Sequence, residues 1–389
     1  MSRPPPPIIK GWCPGALRPM LSGDGLVVRV RPHGGCLSRE QVGGLATLAR
    51  HHGNGLIDFS ARANLQLRGI RPDSHAAVLD GLCALGLLDP DPETESARNI
   101  MVTPFWQADD GTRALAQALE NRLRHAIAHE NLQLPGKFGF ALDCVGQPVL
   151  RQASADIRLE RTPAGALILY PDGAYTGRIV EPHEAVEQAV ALAGWFVHSG
   201  GITNGRGRMA AHVSRISLPD GYDVPVPACL PFIPTPGLTP AGWMAGLAFG
   251  QCQAATLAAL ASMAPLRLTP WRMVVLQGVC TPPPFADLLQ AGDARLRVAA
   301  CTGAPACPQA LAPVRTLAAD LAAFVPEQAF LHVSGCAKGC AHPQAAPLTL
   351  VAQSGGFALI HHGTTTDQPI VCNLSAERLR AHPELMTKD

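Results

Sequence analysis

Four cysteines in the last quarter of the chain are arranged in two short clips. The first clip runs from Cys301 to Cys307 in CTGAPAC, and the second from Cys336 to Cys340 in CAKGC. Thiols at such spacings can form disulfides, bind a structural zinc ion or bind an iron–sulfur cluster. The compartment of the protein and the residues around the clips help to distinguish these three possibilities.

The N-terminal sequence MSRPPPPIIKGW lacks the apolar core and small-residue cleavage site of a signal peptide. We therefore expect a cytoplasmic protein, in which thiols stay reduced and disulfides are rare. Zinc sites favour clips of C-x2-C to C-x4-C, whereas a 4Fe–4S cube needs thiolates spread around a larger object. The C-x5-C and C-x3-C spacings in Gly- and Ala-rich loops favour the cube. The predicted ligands are Cys301, Cys307, Cys336 and Cys340, and the other eight cysteines are interpreted as core residues.

Length and composition limit the kind of protein. A chain of 389 residues with 47% hydrophobic residues is large enough for two or three well-buried domains. A net charge of +1 gives no general attraction to nucleic acid or to an anionic membrane, so neither partner is expected. The longest apolar run, 246–263, contains two glutamines and is predicted to be a buried helix rather than a membrane span.

The sequence contains an internal duplication. Residues 28–70 and 233–279 both show an extended segment, an Ala- and Leu-rich helix and alternating strands. From Ala46 to Ile70, each residue aligns with the residue 209 positions later in the chain. Ser38 and Thr239 are the expected helix N-caps. Downstream of each copy, a helical stretch (112–128 or 314–325) precedes two strands joined by a glycine-containing turn (155–170 or 346–361). The prediction is an α+β fold in two similar halves that leave a crevice at their interface for a large ligand.

Several motifs together resemble the nitrite and sulfite reductase superfamily. These are the two cysteine clips, FSARANLQL, SARNIMVTP and LPGKFGFALD. The resemblance implies paired ferredoxin-like half-domains (11–85 and 200–285), each followed by an α/β lobe (90–195 and 290–389), with the cluster in the second lobe. It also implies Arg62, Arg98 and Lys137 as active-site cations. Gly139 stands where the sulfite reductases have a second lysine, and one distal cation fewer weakens anion binding and proton delivery.

One branch of that superfamily is more similar than the others. The stretches GWCPGALRPMLSGDGLVVRVRP, RANLQLRGI and LRLTPWR are similar to the precorrin-3B synthases of aerobic cobalamin biosynthesis. This resemblance implies an oxygen-dependent monooxygenase that hydroxylates precorrin-3A and forms a lactone from its ring A acetate. It further implies a 4Fe–4S cluster and a second iron centre, either a mononuclear non-haem iron or sirohaem, with Cys340 as a candidate bridge between the two.

A tetrapyrrole with many carboxylates suits arginine, which is permanently charged and donates in a fork. The residues expected to contact it are Arg29, Arg31, Asn64, Gln66, Arg68, Arg206, Arg208 and Arg272. Arg62, Asn64 and Gln66 alternate along the sequence and are predicted to share one face of a strand. Several histidines are candidate iron ligands: His33, His212, His332, His342, His361 and His362. No facial-triad spacing occurs among them, so the sequence does not identify an iron ligand.

The chain contains no G-x-G-x-x-G motif after a predicted strand, so electrons are expected from an external NADH-linked reductase or ferredoxin. Two other functions compete with the monooxygenase. One is a sirohaem-dependent sulfite or nitrite reductase. The other is a non-catalytic iron–sulfur electron-transfer or tetrapyrrole-carrier module.

Overall fold

A computed structural model describes residues 14–387, so the proline-rich start and the first three residues of the predicted half-domain lie outside the described residues. Four β-sheets and nine α-helices are present within this range. Each predicted half contributes one sheet with a packed helix, followed by a lobe with its own sheet and core. The predicted α+β class is confirmed.

The first half-domain contains β1 Met20–Ser22, β2 Gly25–Val30, β3 Cys36–Leu37, α1 Arg39–His52, β4 Leu56–Phe59, β5 Leu65–Ile70 and α2 His75–Ala84. Helix α1 begins where predicted. The Ser38 hydroxyl accepts from the Gln41 N–H while the Gln41 side chain accepts from the Ser38 N–H. This capping box satisfies two backbone donors at the start of the helix.

The first lobe contains α3 Pro92–Ala97, β6 Ile100–Val102, α4 Thr112–His129, β7 Phe140–Asp143, β8 Ile157–Arg161, β9 Leu167–Pro171, β10 Thr176–Val180, α5 Ala185–His198, α6 Met209–Val213 and β11 Val224–Pro225. Its sheet has the order β11-β10-β9-β8-β7-β6, in which β6, β7 and β8 are parallel. Leucines and phenylalanines on α4 and α5 pack against one face of this sheet.

The second half-domain contains β12 Gly237–Thr239, β13 Gly242–Leu247, β14 Gln251–Gln253, α7 Ala254–Met263, β15 Leu266–Leu268, β16 Met273–Gln277 and β17 Leu288–Leu289. The second lobe contains β18 Val298–Ala300, α8 Arg315–Leu321, β19 Leu331–Ser334, β20 Ala346–Gln353, β21 Gly356–Gly363, β22 Val371–Leu374 and α9 Ala376–Ala381. In the second lobe β18, β19 and β20 are parallel and β20 to β22 are antiparallel.

The two half-domains exchange strands. The first sheet has the order β1-β2-β5-β4-β14, and the second has the order β12-β13-β16-β15-β3, with β17 on β13. Each sheet is therefore completed by a short strand from the other half, the one that directly precedes α1 or α7. Helices α1 and α7 pack together over a single hydrophobic core that both half-domains share. Neither half-domain has a complete sheet of its own.

The duplication is confirmed, but two details of its alignment are wrong. Thr239 is not a helix N-cap: it ends β12 in a hairpin with β13, which matches the β1–β2 hairpin. The run 246–263 is helical only in α7, because Phe249 and Gly250 take positive φ values of 54° and 72° and β14 then pairs with β4. Within residues 14–387 no helix is both long and apolar enough to cross a bilayer.

Candidate functional site

The two cysteine clips meet at one edge of the second lobe. Cys301 directly follows β18, and Cys336 lies two residues after the end of β19, which runs parallel to β18. Parallel neighbours present their carboxyl ends at the same edge of a sheet, where α/β proteins place ligands. The N–H of Gly335 donates to the Cys301 Sγ at 3.2 Å. The strand arrangement therefore brings together thiols that are 35 residues apart in sequence.

The four thiols also influence one another electrostatically. The pKa of the Cys340 thiol is raised by desolvation and by the charges of Cys301, Cys336 and Cys307, and Lys338 opposes this. The pKa of the Cys336 thiol is likewise raised by desolvation and by Cys301 and Cys307. Bound iron would relieve this mutual repulsion, because metal ligation keeps thiols deprotonated.

No three His, Cys, Asp or Glu side chains in the described part of the chain are grouped so that they could hold one metal ion. Four cysteines are the donor set that holds a 4Fe–4S cluster. Small residues between the cysteines let the backbone come close to such a group. The residue types fit a 4Fe–4S cluster, whose binding stays a prediction.

Glycine is required in both cysteine loops. Gly303 has φ +72°, and a Cβ there would lie 2.8 Å from the Val314 side chain. Gly339 has φ +63°, and a Cβ there would lie 2.9 Å from the Thr365 hydroxyl, which donates to the Ala337 carbonyl. The loop conformations thus depend on glycine for both backbone angle and space.

Two of the predicted ligand-binding arginines contact these loops through peptide oxygens. Arg68 forms a bidentate ion pair with Asp24 and also donates to the Ala306 carbonyl at 3.4 Å. Arg272, in the turn between β15 and β16, donates to the Ala341 carbonyl beside Cys340. The pKa of Arg272 is lowered by burial and by the charge of Arg315. Both arginines dock the cysteine loops onto the half-domains, and their contact with a tetrapyrrole stays a prediction.

Arg62 lies in a turn rather than on a strand face, which corrects the prediction. Strands β4 and β5 are separated by residues 60–64, and the Ser60 hydroxyl accepts from the N–H groups of Arg62 and Asn64. Ala63 has φ +52°, and Arg272, 209 residues later, has φ +61° in the equivalent turn. Gln66 follows on β5, so Arg62 does not share a strand face with Asn64 and Gln66. Alternation alone could not reveal the tight turn.

The Arg62 turn meets the first lobe at a cluster of cations. Arg62 donates to the Lys137 carbonyl at 3.0 Å and to the Ser154 hydroxyl at 3.1 Å. Arg208 also donates to the Ser154 hydroxyl at 3.1 Å and forms an ion pair with Asp156 at 2.8 Å. The Lys137 side chain is exposed beside them. Two guanidinium groups from separate parts of the chain thus meet at one serine, and Lys137 joins them through its backbone carbonyl, an arrangement suited to carboxylates.

Gly139 lies in the same place and has no room for a side chain. A Cβ at Gly139 would be 3.0 Å from the Asn99 carbonyl oxygen and 3.5 Å from Arg62 Nη1. Its N–H donates to the buried Asp156 carboxylate, which fixes the backbone. A lysine at this position would need the backbone to shift and would face the Arg62 guanidinium.

Arg98 and Arg31 are held in buried ion pairs. Arg98 donates to both carboxylate oxygens of Asp89 at 2.7 and 2.9 Å and lies 3.8 Å from Glu120. Arg31 pairs with Glu95 at 3.2 Å, and burial, followed by the charge of Arg29, lowers the pKa of Arg31 to about 10. Arg98 therefore also supports the fold, since its removal would strand buried carboxylates.

The remaining predicted contacts are dispersed. Arg29 on β2 lies opposite Gln66 on β5 and donates to its side-chain carbonyl when the amide is oriented to satisfy both groups. Arg206 is exposed in a tight turn that pairs with Thr203. Of the predicted site residues, Arg62, Lys137 and Arg208 are linked by hydrogen bonds, and their contact with a substrate stays a prediction.

One histidine beside the cysteine loops is unusual. His332 on β19 is fully buried, and neither of its ring nitrogens has a hydrogen-bond partner among the described residues. Its ring contacts that of His342 with 5.8 Å between centroids. Burial, followed by the charges of His342 and Arg272, lowers the pKa of His332 to about 4. Three of the other candidate histidines form hydrogen bonds: His33 with Glu120, His212 with Ser199 and His361 with the Met386 carbonyl.

Two residues that the sequence did not single out are Ser154, which joins Arg62 to Arg208, and Asp58, which lies between the half-domains and the cysteine lobe. Ser154 is a single serine before a strand and Asp58 is a single aspartate within a strand, and neither belongs to a recognisable sequence motif. Their role is visible only in the folded structure, where side chains from distant segments form hydrogen bonds with them.

Comparisons with known proteins agree with this geometry. Residues 18–85 match the nitrite/sulfite reductase ferredoxin-like half domain. A precorrin-3B synthase from Sinorhizobium sp is 31% identical over 92% of this chain and 84% of that protein. The chain belongs to the precorrin-3B synthase family. A ferredoxin–nitrite reductase from Synechococcus elongatus is 33% identical, but over only 32% of this chain and 26% of that enzyme.

The precorrin-3B synthase family thus shares the nitrite/sulfite reductase fold. The structure of the Mycobacterium tuberculosis NirA protein superposes with a TM-score of 0.64 and covers 92% of this chain and 79% of that one, at 17% identity. This likeness concerns the fold alone. The relatives include a synthase and a reductase, which places the chain among enzymes of the oxidoreductase type.

Proposed function

We propose that this chain is a precorrin-3B synthase, which hydroxylates precorrin-3A with dioxygen and forms a lactone from the ring A acetate in cobalamin biosynthesis. The observation that carries the proposal is the 31% identity to a precorrin-3B synthase over 92% of the chain. A likeness of this length spans both half-domains and both lobes. It therefore supports a shared activity better than the short match to a nitrite reductase does.

The site chemistry supports a substrate with several carboxylates. Arg62, Arg208 and Lys137 come from the first half-domain, the end of the first lobe and the loop before β7. Guanidinium groups bind carboxylates through charge-assisted, paired hydrogen bonds. Ser154 keeps the two guanidinium groups in fixed positions, so a bound acetate or propionate would meet donors that need little rearrangement.

The cysteine quartet would hold a 4Fe–4S cluster, which supplies single electrons when bound. The chain's own contribution is to place the four thiols at one sheet edge and to brace their loops with Arg68 and Arg272. For a second iron, the described residues offer no group of three protein ligands, so no step is assigned to it. We propose that reducing equivalents come from an external NADH-linked reductase or ferredoxin.

The test is conversion of precorrin-3A by anaerobically purified protein after addition of a reductant and ¹⁸O₂. The expected product carries one labelled oxygen in its hydroxyl group and contains a lactone. Wild type that holds its cluster, binds precorrin-3A and still forms no labelled product would contradict the proposal. Retention of unchanged precorrin-3A would instead favour the carrier function.

A sulfite-reduction assay separates this proposal from the reductase alternative. Because Gly139 leaves no room for the second lysine, we expect negligible sulfite- or nitrite-dependent oxidation of reduced methyl viologen. Rapid oxidation by cluster-containing wild type would favour a reductase. A variant at another exposed glycine, Gly146→Ala, serves as a preparation control because a Cβ there meets no atom within 4 Å and the residue does not have a positive φ.

A further inference from the structure

Asp58 is a buried carboxylate on β4 with partners from three parts of the molecule. It is 7% exposed. Its Oδ1 accepts from Gln251 Nε2 at 2.8 Å and from both terminal nitrogens of Arg315 at 3.2 Å. Its Oδ2 lies 3.7 Å from Arg68 Nε. Buried carboxylates are retained where they are paired and hydrogen-bonded, so this side chain is held in one orientation.

The partners of Asp58 connect the half-domains to the cysteine lobe. Arg68 is on β5 of the first half-domain, Gln251 is on the exchanged strand β14 of the second, and Arg315 begins α8. The residue before Arg315 is Val314, whose N–H and side chain press against Gly303 inside the first cysteine clip. The carboxylate thus holds the helix that supports this clip.

Asp58 is also one side chain away from the first cysteine clip. Arg68, whose Nε lies 3.7 Å from Asp58, donates to the carbonyl of Ala306, the residue before Cys307. Three arginines, Arg68, Arg272 and Arg315, surround this part of the cluster lobe. Asp58 is the carboxylate placed among them, while Asp24 is occupied by Arg68 from the outer side.

We propose that Asp58 is a positioning residue that fixes the cluster lobe on the half-domains and sets the reduction potential of the cluster, an inference that rests on the proposed cluster. An added electron makes the cluster more negative, and a nearby carboxylate opposes this while the arginines favour it. Strand β4 leads directly into the turn that carries Arg62. The same strand therefore contacts the cluster lobe through Asp58 and, four residues later, positions Arg62, which is proposed to bind the substrate.

The experiment compares Asp58→Asn with wild type in a redox titration followed by electron paramagnetic resonance. Asparagine keeps the shape and one acceptor oxygen but removes the negative charge, so the midpoint potential should rise. Arg315→Gln removes a cation and should lower it, and the double variant should return toward wild type. The control is Asp320→Asn, on the same helix α8, whose ion pair with Arg380 is on the surface; its potential should match wild type.

Unchanged potentials in both Asp58→Asn and Arg315→Gln, with full cluster content, would overturn the inference. If Asp58→Asn fails to retain a cluster, Arg315→Gln alone decides, because Asp58 then keeps Arg68 and Gln251 as partners. Urea unfolding of the cluster-free proteins provides a separate readout, in which Asp58→Asn should be less stable than Asp320→Asn. Wild type without any cluster would contradict the proposed cofactor rather than the role of Asp58.

Discussion

Two arginines from neighbouring motifs have different surroundings, although the sequence suggested similar roles for them. Arg62 sits in a turn at the surface of the first half-domain and donates to a carbonyl and a hydroxyl of the first lobe. Arg98 is buried with Asp89 and Glu120. The carbonyl and hydroxyl that accept from Arg62 are neutral, whereas removing Arg98 leaves a buried carboxylate without its ion-pair partner.

Arg62→Ala and Arg98→Ala should therefore fail differently. We expect Arg62→Ala to keep its cluster and melting temperature but to lose about 2–5 kcal/mol of transition-state binding, roughly 30- to 4000-fold in turnover. Arg98→Ala should lose about 3–5 kcal/mol of stability. Single-turnover product formation and thermal unfolding measure the two effects. An unfolded Arg62→Ala would show that Arg62 is structural.

His332 predicts a pH dependence of stability. Its pKa is lowered to about 4 in the folded protein from an ordinary value near 6.5, so protonation favours the unfolded chain. The stability that neutral His332 contributes is complete above pH 6.5 and is lost as the pH falls toward 4, by about 3 kcal/mol. His332→Leu should flatten this part of the profile and raise stability at pH 5.

Urea unfolding between pH 4.5 and 7 measures the effect of His332→Leu. The matched control is Leu331→Val, at a buried position of the same strand β19 that carries no titratable group. The control should keep the slope of wild type. A His332→Leu profile as steep as that of wild type would assign the acid sensitivity to other groups.

At the scale of elements, the parallel strands β18 and β19 bring the two cysteine clips together at the proposed cluster site. Each strand ends directly before or within two residues of a cysteine clip, and glycines at positive φ turn the loops back over the sheet edge. Cys301 also receives a hydrogen bond from the opposite loop through Gly335. The two loops are therefore mutually supported before any cofactor binds.

Replacing any one of the four clip cysteines with serine should deplete iron and acid-labile sulfide, because a cube held by three thiolates is poorly retained. The measurement is iron and sulfide content after anaerobic reconstitution. Cys280→Ser, at an exposed cysteine outside the clips, is the control and should match wild type. One zinc and no sulfide in wild type would contradict the cluster assignment.

At the scale of the whole molecule, strand exchange makes the halves interdependent. Strand β14 of the second half completes the first sheet, and β3 of the first half completes the second. Apolar residues of both halves form one core around α1 and α7. A half-domain without its partner would expose a sheet edge and most of that core, which favours aggregation.

A chain cut between Cys229 and Leu230, in the connection from β11 to β12, tests this interdependence. We expect the half-domain of each fragment to be unprotected from hydrogen exchange when the fragment is produced alone, whereas co-expressed fragments should co-purify and bind the cluster. Size-exclusion chromatography and amide hydrogen exchange provide the readouts, because each lobe has a core of its own and its unfolding would not report on the half-domain. Protected α1 amides in the isolated first fragment would show that the exchanged strands are dispensable.

The sequence by itself determined the duplication and the α+β class, because periodicity is a local property of the chain. It further predicted the four clip cysteines as cluster ligands from their short spacings. It also indicated Ser38 as a helix cap, since a capping box spans only four residues. The motifs around Arg62, Lys137 and the clips were enough to indicate the family to which the chain belongs.

Only the tertiary structure decided which cations converge. Arg208 joins Arg62 through Ser154 and the Lys137 carbonyl accepts from Arg62, while Arg98 turns into the core toward Asp89. Side-chain partners depend on how distant elements pack. Because Arg62 lies in a turn rather than on a strand, its guanidinium points to different partners from those that the sequence predicted. The strand exchange between halves was equally hidden, because β3 and β14 are two- and three-residue segments whose pairing is set by the docking of α1 on α7 rather than by their own sequence.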